Sequence, residues 1–159
     1  MAFISAFPET SLVLDNDVLT HWRNQQPYAV AAISAYQTRL KRPPALTSMT
    51  YFEVIFGIDN GVARHGLSAE RAERYRNNMD ALSRGCGVLP FDRTAAEIAA
   101  YVCANSDELY KKHWKDVLIA ATALAHGHGV ATGNKKHFEL IGNTLSSNHP
   151  PLPLAIWKP

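Results

Sequence analysis

Lys115 to Leu140 reads KDVLIAATALAHGHGVATGNKKHFEL, and its order of residues decides the fold: a helix, a glycine-rich stop, a short strand and a polar loop in unbroken succession. Counting from Asp116, Ile119, Ala120, Ala123 and Gly127 share one helical face, while Val117, Leu118, Ala121 and Leu124 fill the apolar surface beside it. A carboxylate therefore stands at the head of a packing face. The free amides and positive dipole end of a first turn favour an acid, so Asp116 reads either as an exposed first-turn acid or as a functional group. Gly127 and Gly129 can both take positive φ and end the helix. Val130 and Ala131 then begin an apolar strand that stops at Thr132, Gly133 and Asn134. A helix returning directly into a strand implies a parallel sheet, in which ligands bind beyond the carboxyl ends of the strands. Thr132 and Asn134 lie at that place, although Asn134 alone reads equally as the left-handed residue of a Gly-Asn turn.

Working outward, Ser11 to Leu14 is a short apolar run ending at Asp15, Asn16 and Asp17, after which Val18, Leu19 and Trp22 repeat with helical spacing. This is a strand feeding a helix, with Asp17 as the expected N-cap and Asp15 one step earlier, at the end of the strand. Pro27 to Leu40 reads as a second helix, opened by its proline and closed by Lys41, Arg42, Pro43 and Pro44. Ala45 to Ser48 is a weak strand, and Thr50 to Val62 a helix with Phe52, Ile55, Phe56 and Ile58 as its apolar set. Glu53 interrupts that set. A carboxylate among such neighbours needs a cation or a proton, so Glu53 reads either as a paired structural acid or as a second functional acid.

Ser68 to Arg84 carries mixed charge suited to a solvated helix. Gly87 to Phe91 reads as a strand, Asp92 as a cap, and Thr94 with Glu97 as a capping-box pattern ahead of a helix to about Tyr110. That helix ends in Lys111, Lys112, His113 and Lys115, a basic cluster suited either to a polyanionic substrate or to a solvated helix end. His126 and His128 fit a helix end better than a metal pair. His21, His65, His137 and His149 stand isolated in the sequence, and no Cys or His group has zinc spacing. NHPPLP is an extended connector into a last strand.

A chain of 159 residues with 47% hydrophobic content can bury one core and is too short for two ordinary domains, so one domain over residues 1–159, with its core at about 12–157, is expected. A net charge of +2 permits RNA contact without demanding it. Cys86 and Cys103 have no partner cluster and read as reduced, buried thiols. MAFISAFPET lacks a basic leader, and no apolar stretch is long enough to span a bilayer, which points to a cytoplasmic protein that does not engage membranes.

Alternating strands and helices imply an α/β fold with a mostly parallel sheet. Asp15 follows the first strand, Glu53 starts the helix after the second, Asp116 opens the helix before the fourth, and Asn134 follows the fourth, so all four can meet at one edge. Hard oxygen ligands suit Mg2+ or Mn2+, and without a cation the acids would raise one another's pKa. In this order the residues resemble the PIN-domain family, especially VapC-type toxin ribonucleases. The segments that carry the resemblance are VLDNDVL, SMTYFEVIFG, VLPFDRTAAEIAAY, KDVLIAATALAHGHGV and ATGNKKHF, which together reach over nearly the whole chain. The resemblance implies a three-layer α/β/α domain and a metal-dependent endoribonuclease. Its acids, Asp15, Glu53 and Asp116 by position, would hold one or two divalent ions and activate a water for attack on a phosphodiester. It also implies an RNA substrate, a cognate antitoxin and a homodimer. Asp17 stands where the family commonly has Asn or Ser, and Asn134 where many members have a fourth acid. Asp17 and Thr132 are accessory candidates. Two rivals accompany this reading. LDNDVL also fits the Asp-x-Asp pair of a haloacid-dehalogenase-type phosphatase, although Thr132, Gly133 and Asn134 do not supply the acids that fold requires. A non-catalytic RNA-binding or partner-binding module is the other.

Overall fold

The computed structural model describes residues 3–5 and 9–159, so most of the leader reading of MAFISAFPET lies outside the described residues. Along the chain run β1 (Phe3–Ser5), β2 (Leu12–Leu14), α1 (Asn16–Arg23), α2 (Pro27–Leu40), β3 (Leu46–Thr47), α3 (Ser48–Arg64) and α4 (Ala69–Cys86). They are followed by β4 (Val88–Leu89), α5 (Arg93–Asn105), α6 (Asp107–Lys112), α7 (Trp114–Ala125), β5 (Gly129–Thr132), α8 (Lys135–Thr144) and β6 (Leu152–Ile156).

Strands β1, β6, β5 and β2 lie side by side in that order, and every pairing is parallel. A parallel bridge from Val13 to Ala45 joins β2 to the short β3–β4 pair. Because side chains alternate across a strand, the sheet sorts its apolar residues into two cores. Val13 and Val130 face the layer built by α5, α6, α7 and α8, where Ile98, Val102, Leu109, Ile119 and Phe138 pack. Leu12, Leu14 and Ala131 face the opposite layer of α1, α2, α3 and α4, among Leu19, Tyr36, Val54 and Met79. This is the three-layer α/β/α arrangement around a parallel sheet that the resemblance implies.

The two glycines after α7 have different work. Gly127 takes φ +70° and ends the helix as expected. Gly129 does not turn the chain: a Cβ there would lie 2.6 Å from the Pro153 carbonyl oxygen, so glycine lets β5 press against β6. The polar loop expected after β5 is only Gly133 and Asn134, since Lys135 already begins α8. Asn134 has φ −95° and is the N-cap of α8, which excludes the left-handed turn. The helix expected to reach Tyr110 breaks at Ser106, which caps α6 by accepting from the Leu109 N–H at 3.3 Å. Asp92 caps α5 as expected, while Glu97 turns to Arg93 at 3.0 Å rather than closing a capping box. Cys86 and Cys103 are free thiols, half-buried rather than fully enclosed, and burial pushes the Cys86 thiol up to about 11.

Candidate functional site

Asp15 follows directly on β2, and its own N–H still donates to the Ala131 carbonyl at 3.0 Å, extending the ladder by one rung. It is also the N-cap of α1: Oδ1 accepts from the Asn16 N–H at 2.7 Å. Asp17, the expected cap, lies exposed in the first turn instead. Oδ2 of Asp15 accepts from the Thr132 hydroxyl at 2.8 Å, and that hydroxyl oxygen accepts from the Asn134 N–H at 2.9 Å. Thr132 therefore locks the end of β5 onto the end of β2. Only 5% of Asp15 is exposed. Burial, aided by the charges of Asp116 and Asp17 and opposed by the Thr132 and Asn16 hydrogen bonds, pushes its carboxyl up to about 7.

Glu53 is aimed by the start of α3. Thr47 caps that helix by accepting from the Thr50 N–H at 3.1 Å, and the Thr50 hydroxyl donates to the Leu14 carbonyl at 3.2 Å. The head of α3 is thereby pinned to the strand end that carries Asp15. The Glu53 side chain is 15% exposed, and the cation its apolar setting called for is Lys115, with Nζ 3.3 Å from Oε1. Burial raises the Glu53 pKa, Lys115 opposes that rise, and the charges of Asp116 and Asp17 add to it. The Lys115 side chain is 44% exposed, so solvent screens the pair and its contribution to stability is below about 1 kcal/mol. Lys115→Ala is accordingly expected to move the melting temperature of the metal-free protein by less than about 4 °C. A larger drop on thermal melting in EDTA would make the pair a structural element instead.

Asp116 lies in the first turn of α7, and Ile119, Ala120 and Ala123 on its face are fully buried, as the spacing predicts. Its Oδ2 is 2.8 Å from Nδ1 of His137. The same ring nitrogen is 2.6 Å from Asn134 Nδ2, and the His113 ring lies against the His137 ring with centroids 3.7 Å apart. The sequence left His137 isolated and His113 among basic residues at a helix end, and the fold brings both to Asp116. Two positional signals point there: His137 is three residues past the cap of a helix that starts at a strand's carboxyl end, and His113 is three residues before Asp116. His126 takes the Pro90 carbonyl at 3.0 Å and Asp92 at 3.5 Å, and His128 takes the His126 carbonyl at 2.7 Å, so neither belongs to this group.

Asp15, Glu53 and Asp116 thus come from three elements, and the charges of Asp116 and of the exposed Asp17 act on both Asp15 and Glu53. Asn134 reaches the group through His137. Beside Glu53 a groove of about 420 Å³ is lined by Asn16, Thr20, Arg23 and Asn24, and Asn16 Oδ1 is buried there without a hydrogen-bond partner. Asp15 and Glu53, whose pKa values are raised first by burial and then by the neighbouring charges, are a donor set that a divalent cation fits, because its charge offsets the cost of holding carboxylates there.

The sequence profile of the PIN domain matches residues 12–142. Among curated proteins no sequence relative matches. Solved structures do. The DNA-bound VapBC of Salmonella typhimurium shares 21% identity over 94% of this chain and 99% of its counterpart, with a TM-score of 0.66. VapBC2 of Rickettsia felis, bound to a promoter DNA fragment, shares 17% over 92% and 98%, with a TM-score of 0.67. FitAcB of Neisseria gonorrhoeae shares 24% over 90% and 95%, with a TM-score of 0.64. No helix among the described residues is long and apolar enough to cross a membrane.

Proposed function

The chain belongs to the PIN-domain family, and on that premise we propose that it is a VapC-type toxin, a divalent-metal-dependent endoribonuclease that hydrolyses RNA phosphodiester bonds in the cytoplasm. The observation that carries this reading is the convergence of Asp15, Glu53 and Asp116, with the Asp15 carboxyl pushed up to about 7. Asp15, Glu53 and Asp116 would hold Mg2+ or Mn2+. A bound ion would supply charge neutralisation at the phosphodiester and would lower the pKa of an attacking water. Thr132 fixes the Asp15 carboxylate by its hydrogen bond, and Asn134 fixes the head of α8. Arg23 and the polar groove beside Glu53 receive the backbone of the strand to be cut. The phosphatase alternative falls with the family assignment.

The test is cleavage of single-stranded RNA with Mg2+ or Mn2+ and its loss in EDTA. RNA retention without cleavage in Mn2+ would make the protein a binding module instead. Asn134→Asp places one more negative charge beside the group, and the expected result is Mn2+ affinity raised about tenfold. Unchanged affinity on calorimetry and an unchanged cleavage rate would confine Asn134 to capping α8.

The similar solved structures are VapBC and FitAcB proteins, which supports a cognate antitoxin that holds this chain inactive by laying a segment with an arginine across the carboxylates. Self-association as a homodimer is supported by the exposed Phe52 and Phe56 on α3, whose rings stack 5.9 Å apart. Light scattering that shows only monomer over a wide concentration range would refute the dimer. A neighbouring small gene product that fails to inhibit cleavage would refute the antitoxin.

A further inference from the structure

The cluster at the head of α7 differs in chemistry from the carboxylates beside it. His113, Asp116 and His137 offer two imidazoles and one carboxylate, and their ligand atoms lie within 4.8 Å of one another. Each is half-buried, so the group is reachable from solvent yet partly screened from it. They are brought together by three pieces of chain: the junction of α6 and α7, the first turn of α7, and the first turn of α8.

The polar contacts of His137 do not close on their own. Its Nδ1 stands 2.8 Å from Asp116 Oδ2 and 2.6 Å from Asn134 Nδ2. With a proton on Nδ1, the Asn134 amide meets N–H against N–H. With a bare Nδ1, the nitrogen and the carboxylate meet lone pair against lone pair. Reversing the Asn134 amide would relieve the first clash only by giving up the 3.5 Å bond through which its Oδ1 accepts from the His137 backbone N–H and caps α8. A cation seated between Nδ1 and Oδ2 accepts both lone pairs and so removes the repulsion between nitrogen and carboxylate, leaving the Asn134 amide to turn away from Nδ1.

We propose that His113, Asp116 and His137 form a binding site for a divalent transition-metal ion of the zinc class. Imidazole nitrogens suit Zn2+, Co2+ or Ni2+, whereas Mg2+ takes oxygen ligands and keeps its waters. Two histidines and one carboxylate are a known zinc ligand set, and three protein ligands leave a fourth position open. Metal–ligand distances of about 2.0–2.1 Å place tetrahedral ligand atoms about 3.3 Å apart, a closure within the rotamer freedom of half-exposed side chains. This site shares Asp116 with the proposed magnesium or manganese group, but its existence does not depend on RNA cleavage.

The experiment is calorimetric titration of the metal-stripped full chain with zinc chloride and, separately, magnesium chloride. The wild type is compared with His113→Ala, His137→Ala and, as a control away from the site, His149→Ala. Zinc is expected to bind at one equivalent and more tightly than magnesium. Each of the two site variants should lose at least about tenfold in zinc affinity while magnesium affinity is kept, and the control should match the wild type. Cobalt chloride provides a second readout, since nitrogen-ligated Co2+ absorbs in the visible and that band should disappear in both site variants. Thermal melting without metal checks that the variants fold. Zinc affinity unchanged in both site variants, an equal loss in His149→Ala, or a preference for magnesium would overturn the proposal. Failure of the nuclease reading is separable: RNA would remain intact while zinc binding persisted.

Discussion

Asp116→Asn is expected to abolish RNA cleavage, with a loss of at least about 100-fold, the scale on which single electrostatic contacts act in active sites. Asp116 raises the pKa of both Asp15 and Glu53, as Asp17 does, and of these two added charges Asp116 acts the more strongly on each. Asparagine keeps the shape and can still accept from His137 through its carbonyl, at the position where Oδ2 now stands 2.8 Å from Nδ1. It supplies no charge, however, and a divalent ion binds more weakly as negative ligands are removed. The same loss of charge removes a repulsion in the metal-free protein. The variant should therefore melt no lower than the wild type in EDTA while failing to cut RNA in Mg2+ or Mn2+. A fully active variant would remove Asp116 from the proposed site. A variant that melts far lower would assign it to the packing of α7 instead.

How much of this was legible in the sequence follows from the range of the forces involved. The face of α7 below Asp116 was readable because helical periodicity is local, and Ile119, Ala120 and Ala123 are buried where the spacing put them. Asp15 was readable as the end of a strand, but its role was not. Whether Asp15 or Asp17 caps α1 depends on where the ladder with Ala131 stops, and that is set by a strand more than a hundred residues away. The strand Phe3–Ser5 was missed for the same reason, since it exists through pairing with Leu152, Pro153 and Leu154 at the far end of the chain. Glu53 announced a need for a cation without naming Lys115, because the two meet only when α3 packs near the head of α7. His137 was hidden by a misplaced boundary: with GNKKHF taken as a loop, nothing aimed its ring, whereas a helix capped by Asn134 turns it onto Asp116.

Asp15→Asn is expected to stabilise the metal-free protein at alkaline pH and to lose that advantage in acid. The folded-state pKa of Asp15 is about 7 against an ordinary 3.8, so the native protein holds this proton more tightly than the unfolded chain. Stability from this group is therefore highest below about pH 4. It falls as pH rises toward 7 and stays low above, a total of roughly 4 kcal/mol if the whole shift is expressed. Asparagine carries no charge to bury. It is as good an N-cap as aspartate, so α1 keeps its bond to the Asn16 N–H. The Thr132 hydroxyl loses its carboxylate acceptor, which costs about 1 kcal/mol. The net gain at pH 8 is roughly 2–3 kcal/mol, or about 5–10 °C on melting in EDTA. At pH 4 the repulsion is absent in the wild type as well, and only the lost hydrogen bond remains, so the variant should melt slightly lower. Adding Mn2+ at pH 8 should raise the melting temperature of the wild type more than that of the variant, because an ion that binds the folded state stabilises it in proportion to its affinity. Equal melting of the two proteins at pH 8, or a gain of the same size at pH 4 and pH 8, would show that Asp15 is not held at the cost of a buried charge.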